Sequence, residues 1–108
     1  MKTYQDRFVA LGDRTRWAIV ERLARRPLSV RQLADDLPVS RPAVSQHLRV
    51  LKEAGLVRER REGTRNFYSV DGDGLAELRE YFENFWEEAL AAFKEAAEKG
   101  ATDEPADE

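Results

Sequence analysis

Arg41, Ser45 and Arg49 recur at intervals of four residues with Gln46 beside them, so a helix through this stretch would present all four on one polar face. Those residue types suit a particular chemistry. A guanidinium matches the O6 and N7 acceptors of guanine, a carboxamide matches the donor–acceptor edge of adenine, and a hydroxyl serves a base or a phosphate. A little further on, Arg58, Arg60, Arg61 and Arg65 surround the short connection Glu62-Gly63-Thr64. Four arginines so close together exceed what solubility requires, and guanidinium groups pair well with backbone phosphates. The two groups point to a double-stranded nucleic acid, provided the chain can hold them side by side.

What must hold them is residues 29–55, SVRQLADDLPVSRPAVSQHLRVLKEAG. Val30, Leu33, Ala34 and Leu37 form one apolar stripe at helical spacing. Ser29 and Gln32 make a capping box ahead of it, and Pro38 ends it at Leu37. Ser40 can cap a second helix with Pro42 in its first turn, running to about Ala54 and terminated by Gly55. Val44, Leu48 and Leu51 give this second helix a narrow apolar row opposite Pro42, Ser45, Gln46, Arg49 and Glu53. Two helices joined by so tight a turn match a helix-turn-helix, although a plain structural hairpin in an all-α core has the same outline. The next segment decides between them. Runs 56–61 and 65–70 read as two strands around Glu62-Gly63-Thr64, a hairpin with an arginine-rich tip. A charged hairpin after a helix-turn-helix is a wing, where an isolated one would be an ordinary exposed turn.

Upstream, residues 1–11 predict a short helix carrying Tyr4, Phe8 and Leu11. Gly12 breaks it and Asp13 can cap the next helix, expected to reach about Arg26 before Pro27. Its two apolar rows, Trp17, Val20 and Ala24 beside Ile19 and Leu23, predict a well-buried element with Arg25 and Arg26 in the last turn. Downstream, Asp71 can cap a long helix from about Gly72 or Gly74 to Lys99. Leu75, Leu78, Phe82, Phe85, Ala89, Phe93 and Ala96 follow steps of three and four, widened by Tyr81, Trp86, Leu90 and Ala97. Such a band can cover its own domain on one side and a second copy of the chain on the other, or line a ligand pocket. The residues expected at a dimer interface are Tyr4, Phe8, Leu78, Phe82, Phe85, Trp86 and Phe93. The fold class expected is mainly α with a small β-hairpin, a winged helix-turn-helix flanked by N- and C-terminal dimerisation helices. It spans residues 1–99 as one domain, with 100–108 as a disordered acidic tail.

The net charge of −3 hides an asymmetry. Residues 1–70 hold 15 Lys and Arg against 8 Asp and Glu, whereas residues 71–108 hold 3 against 13. A basic first part can meet phosphate while the acidic remainder faces elsewhere, although solvated faces alone would also produce such a split. The absence of cysteine excludes disulfides and thiolate metal sites and fits a cytoplasmic location. No apolar run is long enough to insert in a membrane, and the N-terminus lacks a signal-peptide pattern. No phosphate loop, nucleophile motif or carboxylate pair suggests an enzyme. His47, the single histidine, sits at the edge of its helix's apolar row and suits either packing or DNA contact.

Three segments give the chain a resemblance to the ArsR/SmtB family of winged helix-turn-helix repressors: LGDRTRWAIVERL (11–23), LSVRQLADDLPVSRPAVSQHLRVLKEAGLV (28–57) and RREGTRNFYSV (60–70). The resemblance covers roughly residues 5–98. It implies a homodimer paired through its first and last helices that binds an imperfect palindrome in promoter DNA and blocks transcription. Many members of the family release DNA when a metal binds. Their thiolate site falls on the helix matching 30–37, which reads VRQLADDL here, and their other site needs histidines on the last helix, which has none. Glu77, Glu80, Glu83, Glu87 and Glu88 could attract a hard cation or simply form a solvated face. The chain resembles the cysteine-free branch, with no metal and no cofactor expected.

On this reading Arg41, Ser45, Gln46 and Arg49, with His47, face the major groove, while Arg61, Thr64 and Arg65 grip the backbone or minor groove. A winged helix used for protein contact, or a repressor gated by a small molecule in the aromatic seam, are the rival readings. Any sequestering protein or effector is unidentified. Zinc, cadmium and arsenite at stoichiometric levels are expected to leave DNA affinity unchanged, since nitrogen and sulfur ligands are lacking. One-per-subunit metal binding in calorimetry, coupled to loss of DNA, would contradict this.

Overall fold

Local signals in the chain set where each helix begins. The computed structural model describes residues 4–103 as α1 (Tyr4–Leu11), α2 (Arg14–Leu23), α3 (Val30–Asp36), α4 (Arg41–Glu53), β1 (Val57–Glu62), β2 (Arg65–Val70) and α5 (Gly72–Asp103). Asp13, Ser29 and Ser40 each accept a hydrogen bond from the backbone N–H three residues on, which satisfies a donor that the helix itself cannot. At Ser29 the Gln32 side chain returns the bond to the cap's own N–H, completing the capping box. Asp71 does the same work for α5, accepting from the N–H groups of Asp73 and Gly74. The hydrogen bond from Arg16 N–H also holds the Asp13 carboxyl below its usual range.

The end of α4 is fixed equally tightly. Leu56 N–H bonds Leu51 C=O and Gly55 N–H bonds Lys52 C=O, the paired bonds of a Schellman turn. That turn needs a left-handed residue, and Gly55 supplies it at φ 79°. Leu56 is then buried, and β1 leaves directly from the core.

The hairpin is antiparallel, with Val57 opposite Val70 and Glu62 opposite Arg65, so the turn is Gly63-Thr64 alone. Leu28 adds a single-residue bridge on the other edge of β2, exchanging backbone hydrogen bonds with Tyr68 at 3.0 and 2.8 Å. This bridge explains why α2 stops at Leu23 and not near Arg26. The chain must straighten before Leu28 to reach β2, so Arg25 and Arg26 lie beyond the helix.

Met1–Leu78 and Arg79–Glu108 form two separate compact units. The core of the first draws on every element, with Ile19, Leu33, Val44, Leu48, Leu51 and Leu56 almost completely buried. Each such side chain contributes about 1.5–3 kcal/mol through removal from water. The expectation of a well-buried α2 holds for Ile19 and Leu23 and for Val20, but not for Trp17 and Ala24 of Val20's row. Trp17 is 49% exposed and Ala24 is exposed, because only one face of α2 meets the core. In the second unit α5 runs on through Gly100 to Asp103, past the expected end at Lys99. A helical glycine costs only about 1 kcal/mol, less than its alanine-rich flanks can sustain. The rest of the expected acidic tail lies outside the described residues.

One polar contact ties the hairpin to α4. Lys52 Nζ donates to Glu59 Oε1 at 2.9 Å, and the Tyr68 ring lies beside the same carboxylate. The lysine bond lowers the Glu59 carboxyl and, reciprocally, raises Lys52, while burial raises the Tyr68 phenol. The tie is therefore complete at neutral pH. It weakens as pH falls through the lowered Glu59 range or rises through the raised Lys52 range.

Leu48→Ala should cost about 2–5 kcal/mol in urea denaturation by opening a cavity under α4, and Ser40→Ala about 1 kcal/mol by uncapping it. A Leu48→Ala cost below that of Ser40→Ala would mean that α4 is not seated as described.

Candidate nucleic-acid interface

Burial of Val44, Leu48 and Leu51 turns the opposite face of α4 outward. Arg41, Ser45, Gln46 and Arg49 are all exposed along it, as the spacing predicts. Arg49 lies 3.6 Å from Glu53 in an i,i+4 pair with both side chains largely in water. Such a pair is worth under about 1 kcal/mol, so Arg49 leaves it readily for a better acceptor. His47 is half-buried, with Nδ1 3.3 Å from Arg16 Nη1. A guanidinium has no acceptor, so Nδ1 must accept and the ring proton must sit on Nε2. Arg16 is held in place by a 2.7 Å bond from Nε to the Ala10 carbonyl. His47 thus packs against Arg16 and keeps one ring donor free of that contact.

The hairpin register separates the wing residues. Paired residues share a face and neighbours alternate, so Arg58, Arg60, Glu62 and Arg65 stand on one side and Glu59, Arg61 and Asn66 on the other. Arg61 and Arg65, expected to grip together with Thr64, belong to opposite faces. Arg61 folds back onto its own turn, donating from Nε to Gly63 C=O at 3.1 Å. Arg60 is held by Glu62 at 2.8 Å. The Arg65 side chain makes no hydrogen bond or ion pair to another described residue.

Arg65 instead opens onto a groove of about 560 Å³ between α3, α4 and the hairpin tip. Arg31 and Arg41 line it with Arg65, joined by Ser29, Ser45 and Asn66, over a floor of Val30 and Pro42. The groove contains no carboxylate, and none of its three guanidinium groups is paired with a described residue. Of two other clefts, the one holding Arg25 and Arg26 also holds Glu21 and Asp36. The one holding Arg58 and Arg60 lies on the hairpin face opposite the Glu59 side chain. The groove thus sets three guanidinium groups without a neighbouring carboxylate beside the polar face of α4. Arg31 and Asn66 escaped the sequence reading. The stretch 30–37 shows its core stripe clearly, but nothing in it reveals that its first turn faces the hairpin tip.

The residues expected at a dimer interface divide. Phe82, Phe85, Trp86 and Phe93 are exposed, Phe93 to 70%, and Phe82 and Trp86 stack with centroids 6.5 Å apart. Phe8 is also exposed on α1. Leu78 is 6% exposed and closes the core of its own unit, which removes it from the partner-facing set. Tyr4 opens α1, and its side chain lies outside the described residues. Among the described residues no group of three or more histidine and acidic side chains is placed to hold a metal.

A buried helix-turn-helix followed by a two-stranded hairpin and framed by flanking helices defines a winged helix-turn-helix regulator. Residues 13–59 match the family model described as bacterial regulatory protein, arsR family. Over 106 residues the chain is 54% identical to the HTH-type transcriptional regulator Rv2034 of Mycobacterium tuberculosis, covering 95% of this chain and 99% of that protein. It is 30% identical to the transcriptional repressor SdpR of Bacillus subtilis, over 72% of this chain and 87% of that one. An ArsR-like transcriptional regulator from Rhodococcus sp. RHA1 superposes with a TM-score of 0.74 at 37% identity, covering 87% of this chain and 92% of its own. The homodimeric winged helix-turn-helix DNA-binding domain of Mb0332 from Mycobacterium bovis gives 0.64 at 31% identity, with 80% of each chain covered. The chain belongs to the arsR family of bacterial regulatory proteins.

Arg31→Ala and Arg65→Ala should each weaken binding to every duplex alike and flatten the salt dependence by about one unit. Arg60→Ala, which removes a guanidinium already paired with Glu62, should change the slope less. Equal slopes for all three variants would show that the groove is not where phosphate is met.

Proposed function

We propose that this chain is a homodimeric repressor whose two α4 helices read the half-sites of an imperfect palindrome in promoter DNA. The observation that carries this reading is the carboxylate-free groove, whose three unpartnered arginines lie beside the polar face of α4. In this arrangement a backbone strand enters the groove and α4 lies in the major groove. Gln46 and Arg49 supply the bidentate pairings to adenine and guanine, with Arg41 and Ser45 nearer the backbone. His47 has its Nε2–H for an acceptor at the edge of the helix. Thr64 at the hairpin tip flanks the same strand, and Arg61 reaches it only by leaving the Gly63 carbonyl on the opposite face.

Dimerisation is supported by the exposed aromatic row of α5, since apolar patches of this kind mark protein contacts. The relatives named repressor and homodimeric support the same assembly and task. The protein's place is then the cytoplasm, and no helix among the described residues is long and apolar enough to cross a membrane.

Selection of bound duplexes from a random pool tests the proposal. The recovered sites should carry inverted half-sites about ten base pairs apart, one per α4. On such a site Gln46→Ala or Arg49→Ala should cost about 1–3 kcal/mol, with scrambled duplex bound nearly as before. A Phe85→Glu, Phe93→Glu double variant should sediment as a monomer and lose the two-fold preference. Recovery of no consensus, or unchanged binding by all these variants, would leave protein contact as the better reading.

A further inference from the structure

Arg7 has no part in the interface above, yet it makes the longest-range side-chain contacts described in the first unit. Its side chain, 14% exposed, donates from Nε to the Ala54 carbonyl at 2.9 Å. Its Nη1 donates to the Gly74 carbonyl at 3.2 Å and to Glu77 Oε1 at 2.9 Å. One guanidinium thus joins three helices: α1, which carries it, the C-terminus of α4, and the first turns of α5. The Ala54 carbonyl is one of the oxygens that the Schellman turn leaves without a partner, and a cation there also suits the negative end of the α4 dipole.

The backbone around it is closed to match. Gly55 and Gly74 touch, and a β-carbon on Gly74 would overlap the Gly55 carbonyl oxygen. A β-carbon on Gly55 would press on the Arg7 guanidinium at 3.1 Å. The end of the recognition helix is therefore locked to α1 and α5 by a planar fork and two glycines, with no flexible side chain between the backbones. The core could hold α4 without this arrangement, because Val44, Leu48 and Leu51 already bury it.

We propose that Arg7 is a positioning residue that fixes the angle of α4 against the helices that pair the two subunits, and so sets the half-site spacing that the dimer accepts. The inference rests on the dimeric DNA-reading function proposed above. Arg7 itself touches no DNA. Its loss should leave each reading head intact while loosening their relative placement.

The probe is the duplex recovered by selection with wild-type protein, together with copies whose spacer is one base pair longer or shorter and a scrambled duplex. Arg7→Met keeps the apolar stem and removes the fork. It should remain a dimer in sedimentation and bind scrambled duplex with unchanged affinity and salt slope. Its affinity for the selected site should fall by about tenfold, the size of an ordinary coupling between sites, while its discrimination between spacers disappears. Arg7→Lys retains the charge but cannot span three acceptors with one ammonium, so its spacer discrimination should lie between the two. If Arg7→Met does not fold, Arg7→Lys carries the test, and wild-type discrimination in Arg7→Lys then overturns the proposal. Equal losses on selected and scrambled duplex, or spacer discrimination retained in folded Arg7→Met, overturn it as well. Failure of wild-type protein to prefer the selected duplex over the scrambled one would instead sink the underlying DNA-reading function.

Discussion

Val44, Leu48 and Leu51 share one core with Ile19 of α2, Leu33 of α3 and Leu56 at the root of the hairpin. Everything this protein offers to a partner depends on that seat. A helix period of 3.6 residues means that sealing one row leaves the opposite row in water, so burial alone presents Arg41, Ser45, Gln46 and Arg49 together. The same core fixes where β1 starts, because Leu56 must be buried before the strand can leave. Orientation of the recognition helix and position of the wing are thus two consequences of one packing event.

Electrostatics then gives this geometry a direction. The chain is acidic overall, but its acidic residues are mostly downstream of the hairpin. In the first unit many arginines are spent on structure: Arg7 on helix ends, Arg16 on Ala10 and His47, Arg60 on Glu62. Arg31, Arg41 and Arg65 are among those not spent in this way, and these three line a single groove without a carboxylate. Counting arginines by sequence position misses this distinction. A paired guanidinium must give up its partner before it can neutralise a phosphate, whereas an unpaired one gives up only water.

The sequence showed the helices and hairpin well because their signals are local. Caps at Ser29, Ser40 and Asp71, the stop at Pro38 and the left-handed Gly55 each act within four residues of themselves. It misjudged α2, whose end is decided by a bridge between Leu28 and Tyr68, forty residues apart in the chain. Trp17 and Leu78 were misplaced for the same reason, since an apolar periodicity says that a face is buried but not by what. The hairpin register was implicit in the two-residue turn, yet placing the turn one residue too long concealed that Arg61 and Arg65 point apart. Arg31 and Asn66 became visible only when α3 and the hairpin tip were brought together in space.

The central claim is that α4 reads base edges while the adjoining groove holds the backbone. Interference mapping on a selected duplex separates these two contacts chemically. Replacing guanine N7 by carbon removes a major-groove acceptor without touching phosphate, and ethylating single phosphates removes charge without touching bases. The account requires N7 interference confined to two inverted half-sites, with ethylation interference on the phosphates flanking each, and the latter lost selectively in Arg31→Ala and Arg65→Ala. Ethylation interference without any N7 interference, or phosphate contacts unaffected by those two substitutions, would contradict it.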